Sequence, residues 1–193
     1  MARIFILTAI GGTGLLLLGV WPGVLEDVVR SIPFCCFSLP ILGFWFLMLI
    51  CLAVRDLIAT STSMVKTTRW GLWSAVIMFV TMGLVCAHVP QRIALRICCS
   101  DLIALVNAAP ADKFRGAWNG TVVGPYCVDR IAVDRRGGVF FRTHTGPDGI
   151  GPDQMSYGFV LTPNDQGTPF GNAHYRRFHL FGDWHTFAAS DDW

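Results

Sequence analysis

The chain predicts a membrane α region followed by a small all-β domain, and three observations carry that reading. Ile4–Trp21, Ser31–Val54 and Trp70–Ala87 are long apolar stretches without a Lys, Arg, Asp or Glu. A hydrocarbon core about 30 Å thick takes roughly 20 helical residues to cross, and an ionised group at its centre is costly. Charged residues make up 15% of the 193 positions, against roughly 25% in soluble proteins, and the deficit falls in the first half. Beyond residue 111 the hydrophobic period changes from helical to alternating, with turn residues between the runs. The expected organisation is three transmembrane helices over 1–89, an interfacial or stalk helix over 90–110, and an extramembrane antiparallel domain of about five strands over 111–193.

The first segment begins Met-Ala-Arg and turns apolar at once, as signal peptides do. Leu15–Val20 then runs into Trp21-Pro22 with no small-x-small cleavage site, so an uncleaved anchor is expected. Gly11, Gly12 and Gly14 bare one face of this helix, which would let a second helix approach closely. The loop Pro22–Arg30 carries Glu26, Asp27 and Arg30. In the second segment Pro40 lacks an N–H and should kink the helix or mark its true start. The Arg55–Arg69 loop is polar, and Trp70 and Trp73 open the third segment as interfacial aromatics do.

Basic residues near the segment ends set the orientation. Arg3 and the loop holding Arg55, Lys66 and Arg69 are expected in the cytoplasm. The first loop, with Arg30 alone, and the C-terminal half then lie outside. Arg92 and Arg96, just past the third segment, pull the other way.

In Pro90–Ala109 the apolar positions Ile93, Ile97, Leu102, Leu105 and Val106 are spaced helically, and Pro90 suits a helix start. Thr121–Asp134 reads as one β-branched strand, Arg135-Arg136-Gly137-Gly138 as a hairpin turn and Val139–Thr145 as the return. Gly146–Asp153 is a long turn. Met155, Tyr157, Phe159 and Leu161 alternate with Ser156, Gly158, Val160 and Thr162, which predicts a strand buried on one face. After a second loop, Pro163–Asn172, the runs His174–Phe181 and Trp184–Ala189 flank a tight hairpin at Gly182-Asp183. A domain of this size has a small core and leans on its helices or a partner for stability.

The candidate chemistry is sparse. His144, His174, His179 and His185, with Asp183, offer imidazole and carboxylate donors that could converge on a metal. None shows metal-ligand spacing, and His174 and His179, an odd number apart, point to opposite faces of a regular strand. The competing reading makes them polar residues on a solvated sheet face. Arg135, Arg136, Arg176 and Arg177 are candidates for anionic lipid headgroups or a carboxylate, against plain solvation and edge protection. Asp148–Asp153 lacks the third ligand and terminal Glu of a calcium loop and reads as turn chemistry. Of the seven cysteines, Cys98, Cys99 and Cys127 lie beyond the apolar segments, and a bridge from Cys127 to either of the others stays open. No G-x-S-x-G, P-loop or dinucleotide fingerprint occurs, so no catalytic residue is assigned and no cofactor is expected. The chain is net +3 over 1–110 and −1 over 111–193, which is no nucleic-acid footprint.

Pro90-Gln91-Arg92 after the last span, Gly137-Gly138-Val139-Phe140-Phe141 and Tyr157-Gly158-Phe159 carry a resemblance. The chain resembles small uncharacterised bacterial membrane proteins with N-terminal helices and a C-terminal β domain. That resemblance covers about a third of the chain and implies no activity. The expected role is a non-enzymatic interaction or accessory module of the cell envelope. Its expected partners are membrane lipids and a membrane protein or a second copy. A membrane-anchored, metal-assisted hydrolase using the His and Asp residues, and a small subunit of a larger membrane complex, are the alternatives.

Overall fold

A computed structural model describes residues 2–26, 65–108, 120–148 and 153–191. The second apolar stretch, with Pro40, lies outside these residues, as do Asp27, Arg30 and Arg55. The chain divides into two compact units. One comprises Met1–Leu17 and Val29–Ala87, the other Leu18–Val28 and His88–Trp193.

The first unit contains α1 (Ala2–Leu18) and α2 (Val65–Cys86). These helices meet at small residues. A Cβ at Gly12 would lie 3.0 Å from Thr81 Oγ1 and 3.5 Å from Ile77 Cγ2, whereas Gly11 and Gly14 have nothing within 4 Å. Ser74 and Thr81 of α2 are buried at 2% and 5% exposure, while Leu7 and Phe79 stand 68% and 60% exposed. The Thr13 hydroxyl donates to the Ala9 carbonyl at 2.9 Å, which satisfies it within its own helix. Among the described residues no single helix is long and apolar enough on its own to cross a membrane. Leu72–Cys86 and Val89–Ala108 meet the requirement only as a broken pair, and Phe5–Leu18 is apolar but shorter.

Among the described residues the second unit is built around seven strands. β1 (Thr121–Val123) and β2 (Tyr126–Val128) form a two-stranded hairpin. β3 (Arg130–Val133), β4 (Val139–Pro147), β5 (Gln154–Leu161), β6 (Ala173–Phe181) and β7 (Trp184–Ser190) form one antiparallel sheet in the order β3-β4-β5-β7-β6. The five-stranded antiparallel sheet is as expected, and so are the turns at 135–138 and 182–183. Three details differ. Thr121–Asp134 is broken by a turn at Gly124-Pro125, where Gly124 has φ +58°. β4 continues to Pro147, which pairs with Gln154, so the turn after it is shorter than expected. β5 is buried over all of Met155–Val160, because the sheet is covered on both faces.

α3 (Val89–Ala108) covers one face. It opens with His88 at φ +53°, whose Nδ1 lies 2.8 Å from Gln91 Oε1, a side-chain contact across the first turn. Ala94, Leu95, Cys98 and Leu102, one helical stripe, are buried against Val123, Tyr126, Val128, Ile131, Phe141, Phe159 and Trp184. The segment expected as a stalk or interfacial helix is therefore a packed element of the sheet domain. Residues 18–26 lie on the same face as a strap. Trp21 Nε1 donates to the Pro125 carbonyl at 2.8 Å, Tyr126 Oη donates to the Val20 carbonyl at 3.3 Å, and Arg176 pairs with Glu26 at 2.6 Å. Gly23, at φ +83°, rests on the Tyr157 ring, where a Cβ would collide with Cγ and both Cδ atoms. This is a position that only glycine fills without strain.

The opposite face holds a second cluster, Phe140, Val160, Phe170 and Phe187, with Tyr175 against it. Phe170 comes from the 163–172 loop, which folds back over the sheet. Asn164 fastens that loop. Its Oδ1 accepts the Gln166 and Gly167 N–H groups, and its carbonyl accepts the Tyr175 hydroxyl.

Candidate functional site

The histidines are spread across the domain. His179 and His185 are register partners of the β6–β7 hairpin, with rings 5.0 Å apart. His179 Nε2 lies 2.9 Å from the Gly182 carbonyl and His185 Nδ1 3.2 Å from the Asp183 carbonyl. Asp183 thus contributes its backbone to the pair. Burial holds the His185 imidazole below its ordinary value; the Asp183 carbonyl opposes this, and the nearby His179 and Arg177 add to it. His144 lies on β4, stacked 5.9 Å from Tyr157. His174 sits at φ +51° beside an irregularity in β6, so the odd-spacing argument for a regular strand does not apply there. Among the described residues no three His, Cys, Asp or Glu side chains gather closely enough to hold a metal ion.

Three of the four candidate arginines are engaged by their own domain. Arg136 donates Nε and Nη2 to the Asp134 carboxylate and reaches Asn172 Oδ1 at 3.3 Å. Burial alone would raise the Asp134 carboxyl, but the side-chain and backbone hydrogen bonds from Arg136 outweigh it and hold the group below its ordinary value. Arg176 pairs with Glu26 and Arg177 with Asp165. Arg135 is exposed on the turn, without an ion pair among the described residues.

Cys98 and Cys127 face different ways. Cys98 is buried under α3, its thiol 3.2 Å from the Ala94 carbonyl, and burial pushes it up to about 11. Cys127 is exposed on β2 between the inward-facing Tyr126 and Val128. Cys99 is partly buried, its thiol 3.5 Å from the Arg96 carbonyl. All three are free thiols.

A concavity open to solvent lies on the loop side of the sheet. It encloses about 420 Å³ and is lined by Arg130, Arg142, Gln154, Ser156, Phe170 and Asp191, among others, a size typical of small-molecule sites. Arg130 and Arg142 are direct partners across β3 and β4, so their side chains leave the same face. Asp129 grips Arg142 with both oxygens, at 3.0 Å to Nε and 2.6 Å to Nη2. The Arg142 guanidinium also sits 5.3 Å over the Phe170 ring, so its position is set from two sides. Asp191 Oδ1 accepts the Gln154 backbone N–H at 2.8 Å. Sequence reading missed this site. Arg130 and Arg142 flank the turn symmetrically about Arg136, and only a fixed hairpin register brings them together.

No known protein family, curated protein or solved structure matches this chain.

Proposed function

We propose that the chain is a three-span membrane protein serving as a non-enzymatic accessory module of the cell envelope, holding its β domain at the outer membrane–water boundary for a partner to bind. The observation that carries this reading is the reversed polarity of α1 and α2. Gly12 of α1 meets Thr81 and Ile77 of α2, and Ser74 and Thr81 are buried, while Leu7, Ile10, Phe79 and Met82 point outward. In water that arrangement is unfavourable, since it exposes the apolar groups and hides the polar ones. In lipid it is the expected one, because close packing of small residues drives association and large apolar residues meet acyl chains.

The strap supports the side assignment. Residues 18–26, which follow the first span, and α3, which follows the third, lie on one face of the same sheet. That arrangement favours a first loop and a C-terminal domain on the same side, in keeping with two crossings between them. Arg92 and Arg96, which pulled against that orientation, lie over Phe178 and Phe181 of β6 and serve the domain. Ile93 and Ile97 form an outward apolar stripe on α3 suited to the headgroup boundary.

A reporter enzyme active only outside the cytoplasm, inserted after Glu26, within Arg55–Arg69 or after Trp193, tests the reading. The expected pattern is active, inactive, active. An inactive reporter after Trp193 beside an active one after Glu26 would overturn it.

A further inference from the structure

We infer that the cavity on the loop side of the sheet binds a small organic monocarboxylate carrying an ammonium or hydroxyl donor, an amino or hydroxy acid. Two guanidinium groups directly opposed across a strand pair repel each other, and among the described residues only one of them is compensated. Asp129 occupies Nε and Nη2 of Arg142, while Arg130 makes no ion pair among the described residues. A planar carboxylate between them would accept from both guanidinium groups, the geometry in which arginine recognises carboxylates.

The cavity also selects against other anions. Asp191 stands on its wall with Oδ1 committed to the Gln154 N–H, which leaves its second oxygen as an acceptor for a ligand donor. The same carboxylate repels a dianion, so inorganic phosphate is disfavoured and a single negative charge is preferred. Arg142 is pre-set by Asp129 below and Phe170 alongside, so little side-chain ordering remains to oppose binding. The almost fully buried Ser156 adds a hydroxyl-bearing residue to the lining. This site stands independently of the membrane assignment, since every residue in it belongs to the sheet domain and its loop.

The test is thermal unfolding of the full chain in mild detergent, titrated at constant ionic strength with L-serine, acetate or inorganic phosphate. L-Serine should raise the midpoint saturably, acetate more weakly and phosphate not at all. Arg130→Gln removes one of two opposed charges and should hold or raise the unliganded midpoint while weakening serine binding about tenfold or more, the loss expected for a charge-assisted hydrogen bond. Asp191→Asn should reduce the preference for serine over acetate and admit phosphate. No saturable shift with any probe, or a serine shift unchanged in Arg130→Gln, would overturn the site. Phosphate binding as tightly as serine in the native chain would overturn the monocarboxylate assignment.

Discussion

Gly23→Ala asks whether the strap is a docked part of the domain. At φ +83° an alanine carries an intrinsic penalty of about 1–2 kcal/mol. Its Cβ would also overlap the ring of Tyr157, which is buried under the strap, and forcing extra volume into a packed site costs about 1–3 kcal/mol. The strap can escape that strain only by lifting off. It then gives up the bonds from Trp21 to Pro125 and from Tyr126 to Val20, each worth about 1 kcal/mol net. The packing of Val20 and Trp21 against the core is lost as well. The exposed Glu26–Arg176 pair adds at most about 1 kcal/mol. Both routes converge on a loss of about 2–4 kcal/mol. Hydrogen exchange on the full-length protein in detergent reads it directly. Amides of residues 19–26 should exchange about thirtyfold faster or more, the factor that 2 kcal/mol implies. Gly11→Ala, with open space around its Cβ, is the control and should change nothing there. If Gly23→Ala leaves both the exchange of 19–26 and the unfolding midpoint at native values, the docked strap is refuted.

Leu102→Ala empties a position with no solvent exposure between α3 and the sheet and should cost about 2–5 kcal/mol in chemical denaturation; a loss under 1 kcal/mol would mean that α3 is not packed there. Gly12→Leu should separate α1 from α2, lowering the yield of folded protein in detergent, whereas Gly14→Leu, with no neighbour within 4 Å, should be tolerated; equal behaviour of the two would remove Gly12 from the helix contact. Stability should fall on acidification in two steps. The folded His185 ionises below its ordinary 6.5, so the unfolded chain binds that proton first and its contribution, intact above about pH 6.5, drains as the pH falls through the lower folded value. Asp134, held below 3.8, loses its contribution only below about pH 4. His185→Gln should flatten the upper step in urea midpoints measured from pH 8 to pH 3, and a persistent step would assign it to another group.

The parts of the fold legible in the sequence are those written locally. The turns at Gly137-Gly138 and Gly182-Asp183 are legible because glycine and aspartate fix backbone shape over four residues, but the α3 stripe is legible only in part: Leu102, Leu105 and Val106 pack on the sheet, whereas Ile93 and Ile97 face outward and Leu95 and Cys98 take the buried positions. Gly124-Pro125 is equally local, but the β-branched residues around it mask the break. β5 misled for a different reason. Alternation identifies one apolar face, yet Ser156 and Gly158 are buried too, under a loop whose path their spelling does not reveal. The strap depends on a glycine meeting a tyrosine 134 positions away, and no local pattern announces such a contact. The cavity is hidden in the same way. Arg130 and Arg142 look like isolated charges until the register pairs them, whereas the doublets at 135–136 and 176–177 stand out on the page, and three of those four are held by Asp134, Glu26 and Asp165.

The strand order has a consequence for assembly. β6 touches the sheet only through β7, which follows it in the chain. As the polypeptide emerges, β3, β4 and β5 can zip together in sequence, but β6 has no berth until β7 exists to separate it from β5. The last hairpin must therefore close on itself and dock as a unit against the waiting edge of β5. Until it does, the strap has only part of its landing ground, since Arg176 arrives with that hairpin. The strap is made first and fastened last, so the final fastening reports that the whole domain has formed.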